Sequence, residues 1–209
     1  GTHYGISRER GIRLNLTTDL AGPETASEWT LTALGGRFRG YVPLPWADHH
    51  VLAMAVSGGI SAGTYPRRGL YHTGGFIEPS VVEAFQTGIS ESGFVLRGYE
   101  PAQYIGRQYQ LLNAEYRFPI AYVDRGVSTL PVFLRHVAAT VFADYGGAYD
   151  RMDLDHPLDS YQLGVGAELW LSLVFGYYAT GLFRIGHARG TDSDASPSGQ
   201  SYFTVASTF

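Results

Sequence analysis

The sequence predicts an all-β fold: an antiparallel transmembrane β-barrel, of which this chain supplies eight strands. Apolar and polar residues alternate along most of the chain, as they do in strands with one apolar and one polar face. Long gaps and short gaps alternate between these segments, which is typical of barrels with long extracellular loops and short periplasmic turns. The 209 residues are also only 16% charged and 14% aromatic, whereas a soluble domain has roughly 25% charged residues.

Eight segments carry the alternation, and each is long enough to cross a bilayer as a strand, which takes roughly 9–11 residues. They are residues 4–17, 28–42, 49–62, 105–121, 131–146, 159–173, 175–188 and 200–209. The long gaps between them are residues 18–27, 63–104, 147–158 and 189–199. In the second segment, Gly35 and Gly36 interrupt the alternation and predict a bulge or kink.

Charged residues on the polar side of the alternation decide between two β architectures. A soluble β-sandwich also alternates, but it buries its apolar side and turns its polar side to water. Here the polar side contains Glu115, Arg117, Asp144 and Glu168, while the apolar side is long and aromatic. An apolar exterior around a polar lumen explains this pattern better. Apolar residues such as Leu169 should then face lipid.

Composition excludes several classes of function. The formal net charge of −4 is small and acidic, which argues against a nucleic-acid partner. The absence of Cys removes disulfides and Cys-based zinc or redox sites, and no glycine-rich phosphate loop opens a helix. His49 and His50 stand close to Trp46 and predict a turn at the membrane interface rather than a metal site. We therefore expect no metal and no cofactor.

The longest gap, residues 63–104, contains an Arg-Gly-Tyr motif, and it exceeds the roughly 12–15 residues of a passive loop. If this loop folds into the lumen, Arg97 needs anions around it, because a buried unpaired charge is costly. Glu115 and Asp144 lie on the polar side of the two strands that follow. We expect Arg97 to pair with Asp144, with Glu115 as its second partner. From the residues alone, a solvated Arg97 on an outer loop is the alternative.

The residues around Arg97 have predicted roles of their own. Gly98 allows a tight turn or a close approach of the backbone to the barrel wall, and Tyr99 can pack against inward side chains. The expected pairing of the loop with the lumen wall forms a latch. The polar side also carries Arg117, His136 and Glu168, which extend this latch into a wider lumen network. We expect no catalytic residue. His136 could in principle pair with Ser172 or Asp144, as a nucleophilic mechanism would need, but nothing in the spacing singles it out.

Several motifs occur in an order that resembles the C-terminal barrel of the bacterial surface antigen family, which includes BamA, TamA and the two-partner secretion transporters. The motifs are Arg97-Gly98-Tyr99, Asn113-Ala114-Glu115-Tyr116-Arg117-Phe118, Phe142-Ala143-Asp144-Tyr145-Gly146 and Gly164-Val165-Gly166-Ala167-Glu168. The resemblance covers essentially the whole chain, and it looks closest to proteins in which such a barrel follows a TolB-like propeller. It departs at Leu96, where the family usually has Val before the Arg.

The resemblance implies the fold in more detail. The family barrel has sixteen strands, and its Arg-Gly-aromatic loop is the sixth extracellular loop, which folds back into the lumen. This chain would supply strands nine to sixteen, as one barrel domain over residues 1–209 with the inward-folding loop 63–104. Such barrels commonly end in an aromatic residue, so Phe203, Val205 and Phe209 make a C-terminal signal.

Eight strands by themselves raise a geometric difficulty. A closed barrel of eight strands is filled by its own side chains and has no room for a folded loop. Three solutions are open: a missing N-terminal half supplies eight more strands, two copies form one barrel, or eight strands close alone and leave the loop on the rim. An isolated open sheet is the least favourable state, because unpaired strand edges are costly in hydrocarbon.

The function implied by the resemblance is assistance with the insertion of other barrels, or translocation of polypeptide, in the bacterial outer membrane. The expected partners are outer-membrane lipid, unfolded outer-membrane client proteins, and the missing barrel half or a second copy. The alternative is a structural barrel that anchors a periplasmic domain without transport. A lipid hydrolase or acyltransferase that uses His136 is a third hypothesis, and we expect the protein not to be an enzyme.

Overall fold

The structure, a computed structural model, describes residues 6–22, 30–63, 70–75, 95–126, 131–151, 161–176 and 179–208. Its strands are β1 (Gly11–Ala21), β2 (Leu31–Pro43), β3 (Val51–Gly63), β4 (Tyr71–Thr73), β5 (Tyr104–Gly106), β6 (Gln108–Gly126), β7 (Val132–Tyr149), β8 (Gln162–Phe175), β9 (Ala179–Gly190) and β10 (Gln200–Thr208). No helix within these ranges is long and apolar enough to cross a membrane.

Eight of these strands form one antiparallel sheet in the order β1-β2-β3-β6-β7-β8-β9-β10. Each strand pairs with its neighbour in that order, which confirms the predicted all-β antiparallel fold class. Among the described residues, β1 pairs only with β2 and β10 only with β9, so the sheet is open at both edges. The described strands therefore do not close on themselves as a barrel of eight.

The two faces of the sheet have the inverted polarity that the sequence predicts. Large apolar side chains are exposed along the outer face of all eight strands of this sheet, among them Leu14, Phe38, Val56, Val141, Val165, Leu169, Ile185 and Phe203. Buried polar side chains lie on the inner face instead, among them Ser57, Arg97, Thr140, Asp144, Glu168 and Ser172. The apolar surface is on the outside, where a bilayer covers it.

Strand boundaries and irregularities differ in part from the prediction. Of the described residues, β1 begins at Gly11, later than the predicted residue 4, and residues 6–10 are not part of a strand. The bulge predicted at Gly35 and Gly36 is wrong, because both glycines pair with β1 and β3 without a shift in register. The irregularity in β7 instead falls at Arg135, where the pairing with β8 shifts between Leu134 and His136.

The predicted loop 63–104 contains local structure that the alternation does not reveal. β4 and β5 pair as a small two-stranded sheet, and Gly74 forms a bridge with Val95. Three-residue strands are too short to show a period of two. This small sheet positions the segment that follows Val95 at the inner face of the large sheet.

The polarity of the outer face can be tested at Leu169, in the middle of β8, where the side chain is 38% exposed. We expect Leu169→Arg to lower the free energy of unfolding in a bilayer by about 2–4 kcal/mol, because a charge at hydrocarbon depth is costly. Ser198→Arg, in the exposed loop before β10, is the control and should change it by less than about 0.5 kcal/mol. Urea unfolding from liposomes measures both, and equal effects would contradict a lipid-facing surface.

Candidate functional site: a latch in the lumen

Arg97 lies against the inner face of the sheet and is only 5% exposed. Its Nε donates to Asp144 Oδ2 at 2.6 Å and its Nη2 to Asp144 Oδ1 at 2.7 Å, which is the two-bond fork typical of Arg with a carboxylate. The backbone N–H of Arg97 donates to the same carboxylate at 3.1 Å. Asp144 is fully buried, so one carboxylate fixes both the side chain and the backbone of Arg97.

Two further carboxylates complete the surroundings of this guanidinium. Arg97 Nη2 lies 3.0 Å from Glu115 Oε1 on β6, and Nη1 donates to Glu168 Oε1 on β8 at 3.0 Å. The structure thus brings Arg97 together with both partners expected from the sequence. Glu168, which the sequence placed only in a wider network, contacts Arg97 directly. The guanidinium carbon also lies 3.5 Å from the ring centroid of Phe142, a cation–π distance.

The three carboxylates have additional partners on the inner face. Arg117 donates to Glu115 Oε2 at 2.9 and 2.6 Å. Glu168 accepts hydrogen bonds from Trp170 Nε1 at 2.7 Å and from the hydroxyl of Tyr202 at 2.7 Å. Each buried carboxylate is therefore compensated by positive charge or by hydrogen-bond donors, as buried anions require.

A third cation, Arg184 on β9, lies 4.3 Å from the ring centroid of Trp170, and Arg117 lies 5.0 Å from the same ring. The side chains Arg97, Arg117, Arg184, Glu115, Asp144 and Glu168 form what we call the lumen cluster. It contains equal numbers of cationic and anionic groups. Sequence reasoning missed Arg184 and Tyr202, although both fall on the inward side of the alternation in β9 and β10.

The charge state of Arg97 follows from its surroundings. Burial by itself would lower the pKa of the guanidinium, but Asp144, Glu115 and Glu168 raise that pKa well above its ordinary value. The surrounding carboxylates therefore favour the charged form of the guanidinium.

Gly98 brings the loop backbone directly onto the barrel wall. Its φ of +96° lies in the region that favours glycine. A Cβ at this position would lie 2.6 Å from backbone atoms of Arg189 and Gly190, and Gly190 N donates to Gly98 O at 3.2 Å. On the facing side, a Cβ on Gly164 would lie 1.8 Å from the carbonyl oxygen of Arg97. The wall provides space for the motif because β8 and β9 carry glycine where it docks.

Tyr99 secures the other end of the motif. Its side chain is completely buried and packs with Leu96, Leu111 and Ala195. The hydroxyl donates to the backbone oxygen of Leu163 at 3.0 Å and to the carboxylate of Asp192. Burial, and then the hydrogen bond to Asp192, raise the pKa of Tyr99 well above its ordinary value. The latch motif, which consists of Arg97, Gly98 and Tyr99, thus contacts β7, β8, β9 and the loop before β10.

His136 does not join the lumen cluster. It lies on β7 opposite Ser172 in register, and its ring centroid is 6.2 Å from that of Tyr122. Among the described residues its Nε2 makes no hydrogen bond. No group of three or more His, Asp and Glu side chains with a geometry suited to a metal occurs in the described part of the chain.

The predicted C-terminal signal falls partly on the described strand β10. Phe203 is exposed on the outer face, and Val205 is buried. Phe209 lies outside the described residues. The structure therefore shows the positions of Phe203 and Val205 and does not describe that of Phe209.

A family model of the Omp85 superfamily domain matches residues 7–179, a range that includes the latch motif and all three carboxylates of the lumen cluster. The chain belongs to the Omp85 superfamily. This confirms the resemblance to the BamA and TamA family that the motifs indicate. No curated protein matches the chain. Omp85 proteins are outer-membrane proteins that work with outer-membrane substrates and partners.

Removal of the guanidinium tests the latch of this Omp85 domain. We expect Arg97→Ala to lower the free energy of unfolding by about 3–5 kcal/mol, because three buried carboxylates lose a shared cation. We also expect faster proteolysis of residues 63–104. Arg107→Ala removes the same side chain from an exposed position ten residues later and is the matched control. Unchanged cleavage and stability in Arg97→Ala would contradict a buried latch.

A second substitution tests the contact between the latch motif and the wall without changing any charge. Gly164→Ala would place a methyl group 1.8 Å from the carbonyl oxygen of Arg97, so the loop backbone must move. We expect a loss of about 1–3 kcal/mol or more, as for other overpacked sites, with increased protease sensitivity of the loop. Gly126→Ala is the control, since its added Cβ would meet nothing closer than 3.8 Å. Equal behaviour of the two variants would show that the loop does not dock on β8.

Proposed function

We propose that this Omp85 domain assists insertion of outer-membrane proteins, or translocation of polypeptides, in the bacterial outer membrane. The observation that carries the proposal is the open edge at β10, together with a latched loop that contacts the same edge. An unpaired strand edge presents free N–H and C=O groups that can pair with another extended chain. Strand addition at such an edge is a general mode of polypeptide recognition.

The strand β10 is the one best suited to exchange partners. It spans only Gln200–Thr208, whereas the central strand β7 spans Val132–Tyr149. Gly199, with a φ of +70°, sets the turn immediately before it. Fewer backbone hydrogen bonds hold β10 to the sheet, so its release costs less than that of any central strand.

Tyr202 links this edge to the latch motif. Its hydroxyl donates to Glu168 Oε1, the same oxygen that accepts from Arg97 Nη1. Movement of β10 away from β9 therefore changes the environment of the carboxylate that binds the latch. We propose that opening of the edge and loosening of the loop are coupled through Glu168.

The proposed activity uses no covalent chemistry. Within the described residues, the Nε2 of His136 is not hydrogen-bonded to any neighbour. The lumen cluster consists of charges that compensate one another, an arrangement that holds a loop in place. The function rests on strand pairing and on the position of the loop.

Cross-linking of a client chain at the edge tests the proposal directly. The chain has no Cys, so Ser201→Cys introduces a single thiol on β10. We expect disulfide cross-links to a cysteine-bearing, unfolded outer-membrane client during its insertion. Val141→Cys, exposed on the outer face of the central strand β7, is the control and should give none. If neither position cross-links in a properly inserted domain, the result contradicts the proposal and favours a structural barrel that anchors a periplasmic domain without transport.

Loss of the Tyr202 hydroxyl tests the coupling. We expect Tyr202→Phe to cost about 1 kcal/mol of stability and to speed hydrogen exchange in residues 200–208 relative to residues 132–149. Tyr161→Phe is the control, because it also removes a hydroxyl that is hydrogen-bonded, to Gln110, away from the lumen cluster. Protection of 200–208 equal to that of 132–149, in the native chain and in Tyr202→Phe, would contradict a labile edge.

A further inference from the structure

The outer face of the sheet changes from apolar to polar near the end that carries the long loops. On β9, Ile185 is 51% exposed, and the next two residues of the outer face are His187 and Arg189, which are also exposed. On β10, Ser201 precedes Phe203 on the same face, and its Oγ lies 3.0 Å from Nδ1 of His187. The apolar band of these two strands therefore ends at the level of His187 and Ser201.

Two aromatic side chains stand at the same end of the neighbouring strands. Tyr145 lies on the outer face of β7, opposite Leu163 in register, and its ring centroid is 5.3 Å from that of Tyr161, just before β8. Membrane barrels carry aromatic girdles where the hydrocarbon meets the lipid headgroups, and their long loops are extracellular. The polar level above Ile185 is thus the headgroup region of the outer leaflet.

A cavity of about 290 Å³, which we call the rim cavity, lies at this level beside the loop that joins β9 to β10. Val165, 40% exposed on the outer face, forms the side toward the hydrocarbon, and Arg189 pairs with it in register and supplies a guanidinium. The loop contributes the hydroxyls of Thr191 and Ser196 and the carboxylate of Asp192. Ligand cavities have volumes of roughly 300–1,000 Å³, so this one suits a headgroup rather than a whole lipid.

The loop that forms the rim cavity is held by hydrogen bonds of its own. The N–H of Thr191 donates to the carbonyl oxygen of Leu163 on β8 at 2.9 Å, and the N–H of Ala195 donates to the carbonyl oxygen of Asp192 at 3.1 Å. The carboxylate of Asp192 accepts from the hydroxyl of Tyr99. The polar groups of the cavity are therefore positioned before any ligand binds, which lowers the cost of binding.

The charges of the rim cavity select the ligand. Within the described part of the chain, Arg189 forms no ion pair with a carboxylate, in contrast to Arg97 and Arg117 of the lumen cluster. An Arg fork matches a phosphate group, which it binds through two parallel hydrogen bonds. Asp192 in the same cavity disfavours a bare anion, but its carboxylate accepts hydrogen bonds from hydroxyl groups. A ligand that carries both a phosphate and hydroxyl groups satisfies both side chains.

We propose that the rim cavity binds the phosphorylated sugar headgroup of an outer-leaflet lipid. Arg189 binds the phosphate, Asp192 and the hydroxyls of Thr191 and Ser196 bind the sugar hydroxyls, and Val165 contacts the first methylene groups of an acyl chain. The ligand is a lipid rather than a free sugar phosphate, because Val165 and Arg189 lie on the lipid-facing side of the sheet. The site does not depend on the proposed function, since it lies on the face opposite the lumen cluster.

Lipid binding to the detergent-solubilised full chain tests the site, with native mass spectrometry to measure occupancy. The probe is a monophosphorylated lipid A, which carries phosphate, sugar and acyl chains. We expect Arg189→Gln to weaken its binding about tenfold or more, the loss of roughly one charge-assisted contact. Arg189→Lys should fall between the two, because it keeps the charge and loses the fork. Arg107→Gln removes the same charge from an exposed position at the same end, and should bind as the native chain does.

Three further probes separate the sources of the signal: lipid A without phosphate, phosphatidylglycerol, and glucose 1-phosphate. Each should bind the native chain about tenfold or more weakly than the monophosphorylated lipid A, because each lacks the phosphate, the sugar or the acyl chains. Equal binding of phosphatidylglycerol would refute sugar recognition, and equal binding of glucose 1-phosphate would refute a lipid ligand.

Equal binding by Arg189→Gln and Arg107→Gln would refute the site altogether. Protease resistance of residues 63–104 in each variant shows that the latch, and hence the fold, is intact.

Discussion

The fold depends on one electrostatic requirement: the guanidinium of Arg97 lies out of water and needs carboxylates from several strands at once. Asp144 on β7, Glu115 on β6 and Glu168 on β8 surround it within hydrogen-bonding distance. These side chains meet only if the three strands keep their register, because a slip by one residue would turn each carboxylate to the lipid face. The buried cation therefore specifies the pairing of the central strands as well as the position of the loop.

The polarity of the sheet makes such a cluster possible. The outer face of β8 presents Val165 and Leu169 to the surroundings, while its inner face carries Glu168 and Trp170. In a soluble sandwich the same alternation would bury the apolar residues and leave the charges in water, where an ion pair contributes little. A sheet with a polar inner face and a lipid-covered outer face instead gives the charged cluster an organising role.

Much of this arrangement is readable from the sequence, and the rest depends on tertiary structure. Alternation and the order of motifs predict the strands, and Asp144 and Glu115 fall on the inward side of the strands after the loop. The direct contact of Glu168 with Arg97 is not predicted, because the choice among inward carboxylates depends on the stagger between strands. The three-residue strands β4 and β5 are too short to show a period.

Glu168 joins parts of the molecule that are distant in sequence. Its Oε1 accepts from Arg97 of the loop and from Tyr202 of the edge strand, and its Oε2 accepts from Trp170, the residue against which Ile6 packs. Loop and edge therefore share one carboxylate, so a change in either of them alters the hydrogen bonds available to the other. Residues that share a partner in this way are energetically coupled.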